Sequence, residues 1–91
     1  MTKLRIAVLM GGPSSEYSVS IKTGRNIAAN LNKKKYVVKT FLISKKGKWP
    51  VSLEDLKENY DLVLIAMHGE YGENGELQKI LEKAEIKFAG S

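Results

Sequence analysis

The stretch Leu62-Val63-Leu64-Ile65-Ala66-Met67-His68-Gly69-Glu70-Tyr71-Gly72-Glu73-Asn74-Gly75-Glu76-Leu77-Gln78-Lys79 decides the fold. Residues 62–67 are apolar throughout, the pattern of a buried strand. Beyond the loop, Leu77, Ile80, Leu81 and Ala84 recur at i, i+3, i+4 and i+7, one face of a short helix from about Gly75 to Lys83. Between the two, residues 68–75 hold the only histidine, two acids and three glycines. A plain connector needs few polar groups. This loop is composed to present side chains at the end of a strand.

Upstream, a second strand end has the same character. Leu4-Arg5-Ile6-Ala7-Val8-Leu9-Met10 reads as a strand and runs directly into Gly11-Gly12-Pro13-Ser14-Ser15-Glu16. Ser14 and Ser15 are N-cap candidates, and Glu16 suits the positive end of a helix. That helix runs to about Asn32, with Tyr17, Ile21, Gly24, Ala28 and Leu31 on its buried face and Ile27 flanking it. Gly24 costs about 1 kcal/mol relative to alanine inside a helix, which predicts close approach to the sheet.

The remaining elements follow from the same patterns. Tyr36 to Ile43 is rich in β-branched residues and forms a second strand; Lys46-Gly47-Lys48 is a turn, and Trp49-Pro50 a break. Ser52 caps a short helix through Leu53, Leu56 and Lys57, Asn59-Tyr60-Asp61 connects, and Ile86 to Ala89 is a last short strand. Strands alternating with helices predict an α/β domain over residues 1–91: an open, Rossmann-like parallel sheet of about four strands, flanked by helices. Ligands in such sheets sit at the carboxyl ends of the strands, where Glu16 and His68 are expected to meet.

Composition narrows the chemistry. A chain of 91 residues makes one small domain, burying roughly 60–65% of its unfolded surface. No cysteine removes disulfides, thiol nucleophiles and Cys-based zinc sites, and a single histidine removes a multi-histidine metal site. The apolar run Ile6 to Met10 is too short for a membrane span or leader, so the expectation is a cytoplasmic protein with no membrane partner. The net charge of +5 is concentrated in Lys33-Lys34-Lys35 and Lys45-Lys46-Gly47-Lys48. No aromatic residues interleave these runs, so solvated surface is expected there rather than a nucleic-acid site.

The first loop is not a dinucleotide fingerprint, because Pro13 and Glu16 stand at two of the G-x-G-x-x-G glycine positions and a carboxylate there repels a pyrophosphate. The second strand ends in Ile43-Ser44-Lys45, without the acid that holds a ribose, and no Gly-Lys-Ser/Thr exists for a P-loop. A carboxylate instead suits an ammonium-bearing ligand, with the histidine keeping it ionised and oriented. The alternative is a Glu16 that complements the helix dipole and a His68 that caps a loop; composition leaves both open.

His68-Gly69-x-x-Gly72-Glu73-Asn74-Gly75-x-Leu77-Gln78 closely resembles the amino-terminal signature of the D-alanine–D-alanine ligases, and Gly11-Gly12-x-Ser14-x-Glu16-x-x-Val19-Ser20 resembles their first glycine-rich loop. Phe88-Ala89-Gly90-Ser91 is similar to the end of the same domain, so the resemblance covers essentially the whole chain. It implies the pre-ATP-grasp domain of an ATP-grasp ligase of cytoplasmic peptidoglycan precursor synthesis. In that family ATP, with Mg2+, phosphorylates one D-alanine, and the amine of a second attacks the acylphosphate. Glu16 matches the residue that anchors the first D-alanine's ammonium, giving it the catalytic and substrate-binding assignment. His68 matches its support, and Val19 matches a residue lying against the substrate.

The family often has histidine where this chain has Tyr17, for which packing is expected, and an acidic or small residue at Ser18. Asn74 is expected to cap the following helix, Glu73 to receive backbone amides, Trp49 to join a satellite cluster and Asp61 to close a turn. Tyr71 suits either a contact or loop packing. No ATP-grasp domain or magnesium-binding cluster is present in the sequence, so the expectation is a chain, whether excised fragment or natural short product, that is inactive alone and binds neither ATP nor Mg2+ tightly. Its partners would be D-alanine and the missing ATP-grasp portion, with a homodimer left open. The other reading is a standalone non-catalytic module of the same fold. Second-substrate choice among D-alanine, D-serine and D-lactate is expected to lie outside these residues.

Overall fold

The structure, a computed structural model, describes residues 3–67 and 75–90. Its elements in chain order are β1 (Leu4–Gly11), α1 (Tyr17–Asn30), β2 (Tyr36–Ile43), α2 (Leu53–Asn59), β3 (Leu62–Ile65), α3 (Glu76–Lys83) and β4 (Phe88–Ala89). The four strands form one sheet in the order β2-β1-β3-β4, every pair parallel. The expected α/β architecture is present, with β1 central and flanked by the two strands that follow it.

Alternation along β1 sends side chains to two apolar layers. Ala7 and Leu9 join Phe41, Ile43, Val63, Ile65 and Met67 on one face, covered by Leu56 of α2 and by Leu77 and Leu81 of α3. Ile6, Val8 and Met10 face the other way with Ala66, against Ile21, Ile27 and Leu31. Trp49 packs at the edge of the first layer, as its turn position suggests. Tyr60 meets Phe41 edge-on with ring centroids 5.6 Å apart, and burial pushes its hydroxyl pKa up.

Boundaries shift in ways that have local causes. Neither Ser14 nor Ser15 caps α1: the N-cap is Glu16, and the Ser14 hydroxyl accepts the Glu16 amide at 2.9 Å in a turn before the helix. At the other end, Leu31 leaves helical geometry, and the Lys33 ammonium reaches back to the Ala28 and Leu31 carbonyls. The N-cap position of α3 is Gly75, in left-handed geometry. Ser52 caps α2 as expected, accepting the Asp55 amide at 3.0 Å. The buried side of α1 centres on Ser20 and Gly24. A Cβ on Gly24 would lie 2.7 Å from the Met10 Cβ, which is the close approach the glycine predicts.

Candidate functional site

The chain leaves β1 for β2 on one side and later returns to β3 on the other, which makes the carboxyl ends of β1 and β3 the topological switch point. Gly11 and Gly12, at φ 86 and 89, turn the chain out of the sheet there. A Cβ on Gly11 would stand 2.5 Å from the Ile43 carbonyl oxygen and 2.7 Å from Leu42, so the turn needs glycine twice over, for conformation and for space. The Gly12 amide donates to that Ile43 carbonyl at 2.8 Å, tying the turn to β2.

On the β3 side, the ladder ends with the Ala66 amide donating to the Leu9 carbonyl at 2.9 Å. The next backbone groups facing that side belong to Gly11, and they find Ser20. Its hydroxyl accepts the Gly11 amide at 2.7 Å, with the Gly11 and Tyr17 carbonyls at 3.0 and 3.2 Å as acceptors for its proton. Ser20 is fully buried, and reading α1 for apolar periodicity alone overlooks it. Its position one turn into the helix after a double glycine is the signal that could have found it.

Glu16 lies where the glycine turn becomes α1. Its carbonyl accepts the Ser20 amide at 2.9 Å, while its side chain makes no capping hydrogen bond and is exposed. None of the ion pairs among the described residues engages it. An unengaged carboxylate thus projects at the switch point, next to the amino end of α1. Val19 lies in the first turn of α1 and is 48% exposed. It borders a shallow groove with Ile21, Lys22 and Arg25. Tyr17 packs: its ring stands against Gly11 and carries the Lys45 ammonium 5.2 Å from its centroid.

The structure places Glu16 just ahead of α1 and Val19 in its first turn, both exposed. His68, Tyr71, Glu73 and Asn74 lie outside the described residues; Met67, just before them, is buried in the core. Among the described residues no three of His, Cys, Asp or Glu gather as a metal site. A carboxylate ahead of α1 suits an ammonium group and disfavours a phosphate at that position. No helix among the described residues is long and apolar enough to cross a membrane.

Comparison with known proteins agrees with this frame. The family described as "D-ala D-ala ligase N-terminus" matches residues 5–60 and 50–91. The D-alanine–D-alanine ligase of Bacillus anthracis is 42% identical over 88 residues, which are 97% of this chain and 28% of that enzyme. The crystal structure of the B. anthracis ligase complexed with ATP superposes with a TM-score of 0.79 at 39% identity, over 100% of this chain and 29% of that one. The VanG D-Ala:D-Ser ligase of Enterococcus faecalis gives a TM-score of 0.80 at 26% identity, over 96% of this chain and 35% of that one. This chain thus spans little more than a quarter of its curated relatives' length. With the glycine turn, the switch-point glutamate and a family match from residue 5 to residue 91, the chain belongs to the D-alanine–D-alanine ligase family as its amino-terminal domain.

Proposed function

We propose that this domain supplies the anchor for the first D-alanine in an ATP-dependent D-alanine–D-alanine ligase of cytoplasmic peptidoglycan precursor synthesis. The observation that carries the reading is the exposed Glu16 carboxylate at the switch point, held by a fixed glycine turn and with no ion pair among the described residues. Glu16 receives the ammonium of the amino acid. His68, which follows β3 in the sequence, orients Glu16, and Val19 packs against the substrate side chain. Ionised Glu16 holds the first substrate by its ammonium and leaves its carboxylate free to face the rest of the enzyme, where ATP and Mg2+ supply its activation. In this reading the activation comes from the rest of the enzyme, and the 91-residue chain alone has no ligase activity.

The test is a titration of the chain with D-alanine and with L-alanine, followed by amide chemical shifts in residues 11–20. D-alanine shifts these amides more than L-alanine does, and Glu16→Gln removes the difference. Equal responses to the two enantiomers would favour a non-catalytic module that binds another ligand. A coupled assay for ADP release, with ATP, Mg2+ and D-alanine, shows no turnover; turnover would overturn the inactivity of the isolated domain.

A further inference from the structure

The charge of this protein is segregated. Residues 33–48 contain seven lysines and no acid, whereas the rest of the chain holds eight Lys and Arg against all ten Asp and Glu. The net charge of +5 therefore belongs to β2 and the two loops that bracket it. β2 is also an edge strand, since the sheet order ends with it.

Its backbone phase is fixed by two hydrogen bonds to β1. The Lys35 carbonyl accepts from the Leu4 amide at 3.1 Å and the Ile43 carbonyl from the Gly12 amide at 2.8 Å, so the odd residues of β2 face β1. The amides and carbonyls of Val38, Thr40 and Leu42 then point away from the sheet. Leu42 is 40% exposed, and Val37 beside these groups is 50% exposed. Such an edge is a template for an added strand.

The lysines decide which strand can add. Two copies of β2 pairing antiparallel would set Lys33–Lys35 of each against Lys45–Lys48 of the other, at both ends of the pair. Like charges brought together in this way oppose self-pairing. An acidic strand meets the opposite situation: Lys34 and Lys35 at one end, Lys39 in the middle, and Lys46 and Lys48 at the other, all exposed. A nucleic acid could use the same charges, but it has no need of outward backbone groups and finds no exposed aromatic platform along β2.

We propose that the free edge of β2 docks an extended acidic segment of a partner protein, which adds as a fifth strand through Val38, Thr40 and Leu42 with lysines gripping both ends. The bond is main-chain in register and electrostatic in selectivity, so it weakens as salt rises.

A synthetic peptide of alternating glutamate and valine, titrated into the 91-residue chain, tests it. Residue-resolved amide exchange should show new protection at Val38, Thr40 and Leu42. A peptide with lysine in place of glutamate should give none. Thr40→Pro removes one outward amide at an edge position that tolerates proline, and should weaken binding at least about tenfold. Lys35→Glu with Lys48→Glu, which leaves the backbone alone, should do the same. Absence of protection at the three amides, or equal binding of the two peptides, would overturn the proposal and leave the lysines as guards against edge aggregation. Tighter binding of a single-stranded oligonucleotide, unaffected by Thr40→Pro, would also overturn it, in favour of nucleic acid.

Discussion

The Ser20 hydroxyl and the backbone of Gly11 close on each other at the switch point, with Oγ accepting the Gly11 amide at 2.7 Å and lying 3.0 Å from its carbonyl. Ser20 thereby replaces a missing strand. β3 ends its pairing with β1 at Ile65, opposite Leu9, and a helix side chain satisfies the backbone groups that come next. The same contact fixes the first turn of α1 against the end of β1, and Glu16 is held between the two.

Ser20→Ala should destabilise the domain by about 1–3 kcal/mol, because it leaves buried backbone groups without a partner. Urea unfolding measures this directly. A loss below about 0.5 kcal/mol, the range of ordinary surface changes, would mean that the groups find other partners. In the full-length ligase, the same change should raise the KM for D-alanine more than it lowers kcat, because it loosens a positioning contact.

Much of this frame was legible in the sequence. The apolar run at 62–67 and the glycine turn after Met10 mark the two strand ends that form the site, and β1 and β3 do pair. Gly24 signalled the helix–sheet approach that its contact with Met10 explains. What periodicity could not reveal was polar and relational. Ser20 sits on a buried face where apolar spacing finds nothing, and Ser14 offered itself as a cap while serving the turn instead. Asp61 read as a turn residue; its partner Arg5 lies 56 positions away and becomes visible only once the register aligns Ile6 with Leu62.

Gly24→Ala should destabilise despite the better helix propensity of alanine. The new Cβ would meet the Met10 Cβ at 2.7 Å and its sulfur at 2.8 Å. The sulfur can swing aside but the Cβ cannot, so α1 must lift from the sheet. Overpacking of this kind costs about 1–3 kcal/mol, against a propensity gain of about 1 kcal/mol. Trimming the neighbour with Met10→Ala removes the sulfur and keeps the Cβ, so it should not restore stability. A thermally stabilised Gly24→Ala variant would show that the approach is looser than the structure has it.

Gly11→Ala should be more damaging than Gly24→Ala, since two penalties coincide. At φ 86 an L side chain is strained, and its Cβ would sit 2.5 Å from the Ile43 carbonyl oxygen. The Leu42 and Tyr17 side chains nearby can shift, but the Ile43 carbonyl is backbone and cannot. Left-handed strain alone is worth roughly 1–2 kcal/mol, and the clash adds to it. Comparing the two variants in one urea series checks the ranking, and the reverse order would contradict it.

The amino edge of the sheet carries a charge-dependent clamp. Asp61 accepts the Arg5 backbone amide at 2.7 Å, while its two carboxylate oxygens face the guanidinium Nε at 3.3 Å and Nη2 at 3.2 Å. The hydrogen bonds from the Arg5 side chain, then that from its amide, hold the Asp61 pKa below the usual aspartate value. A carboxyl whose pKa is lower folded than unfolded adds stability that is complete above the unfolded value, about 3.9, and is lost as pH falls through the folded one. Asp61→Asn keeps an acceptor but removes the charge. Its melting temperature should therefore lie below wild type near neutrality, and the two curves should converge as pH drops beneath the ordinary aspartate range. Curves that stay parallel through that range would place the clamp's contribution in its shape and hydrogen bonding rather than its charge. Both partners are partly solvent-exposed, so added salt should narrow the neutral-pH gap.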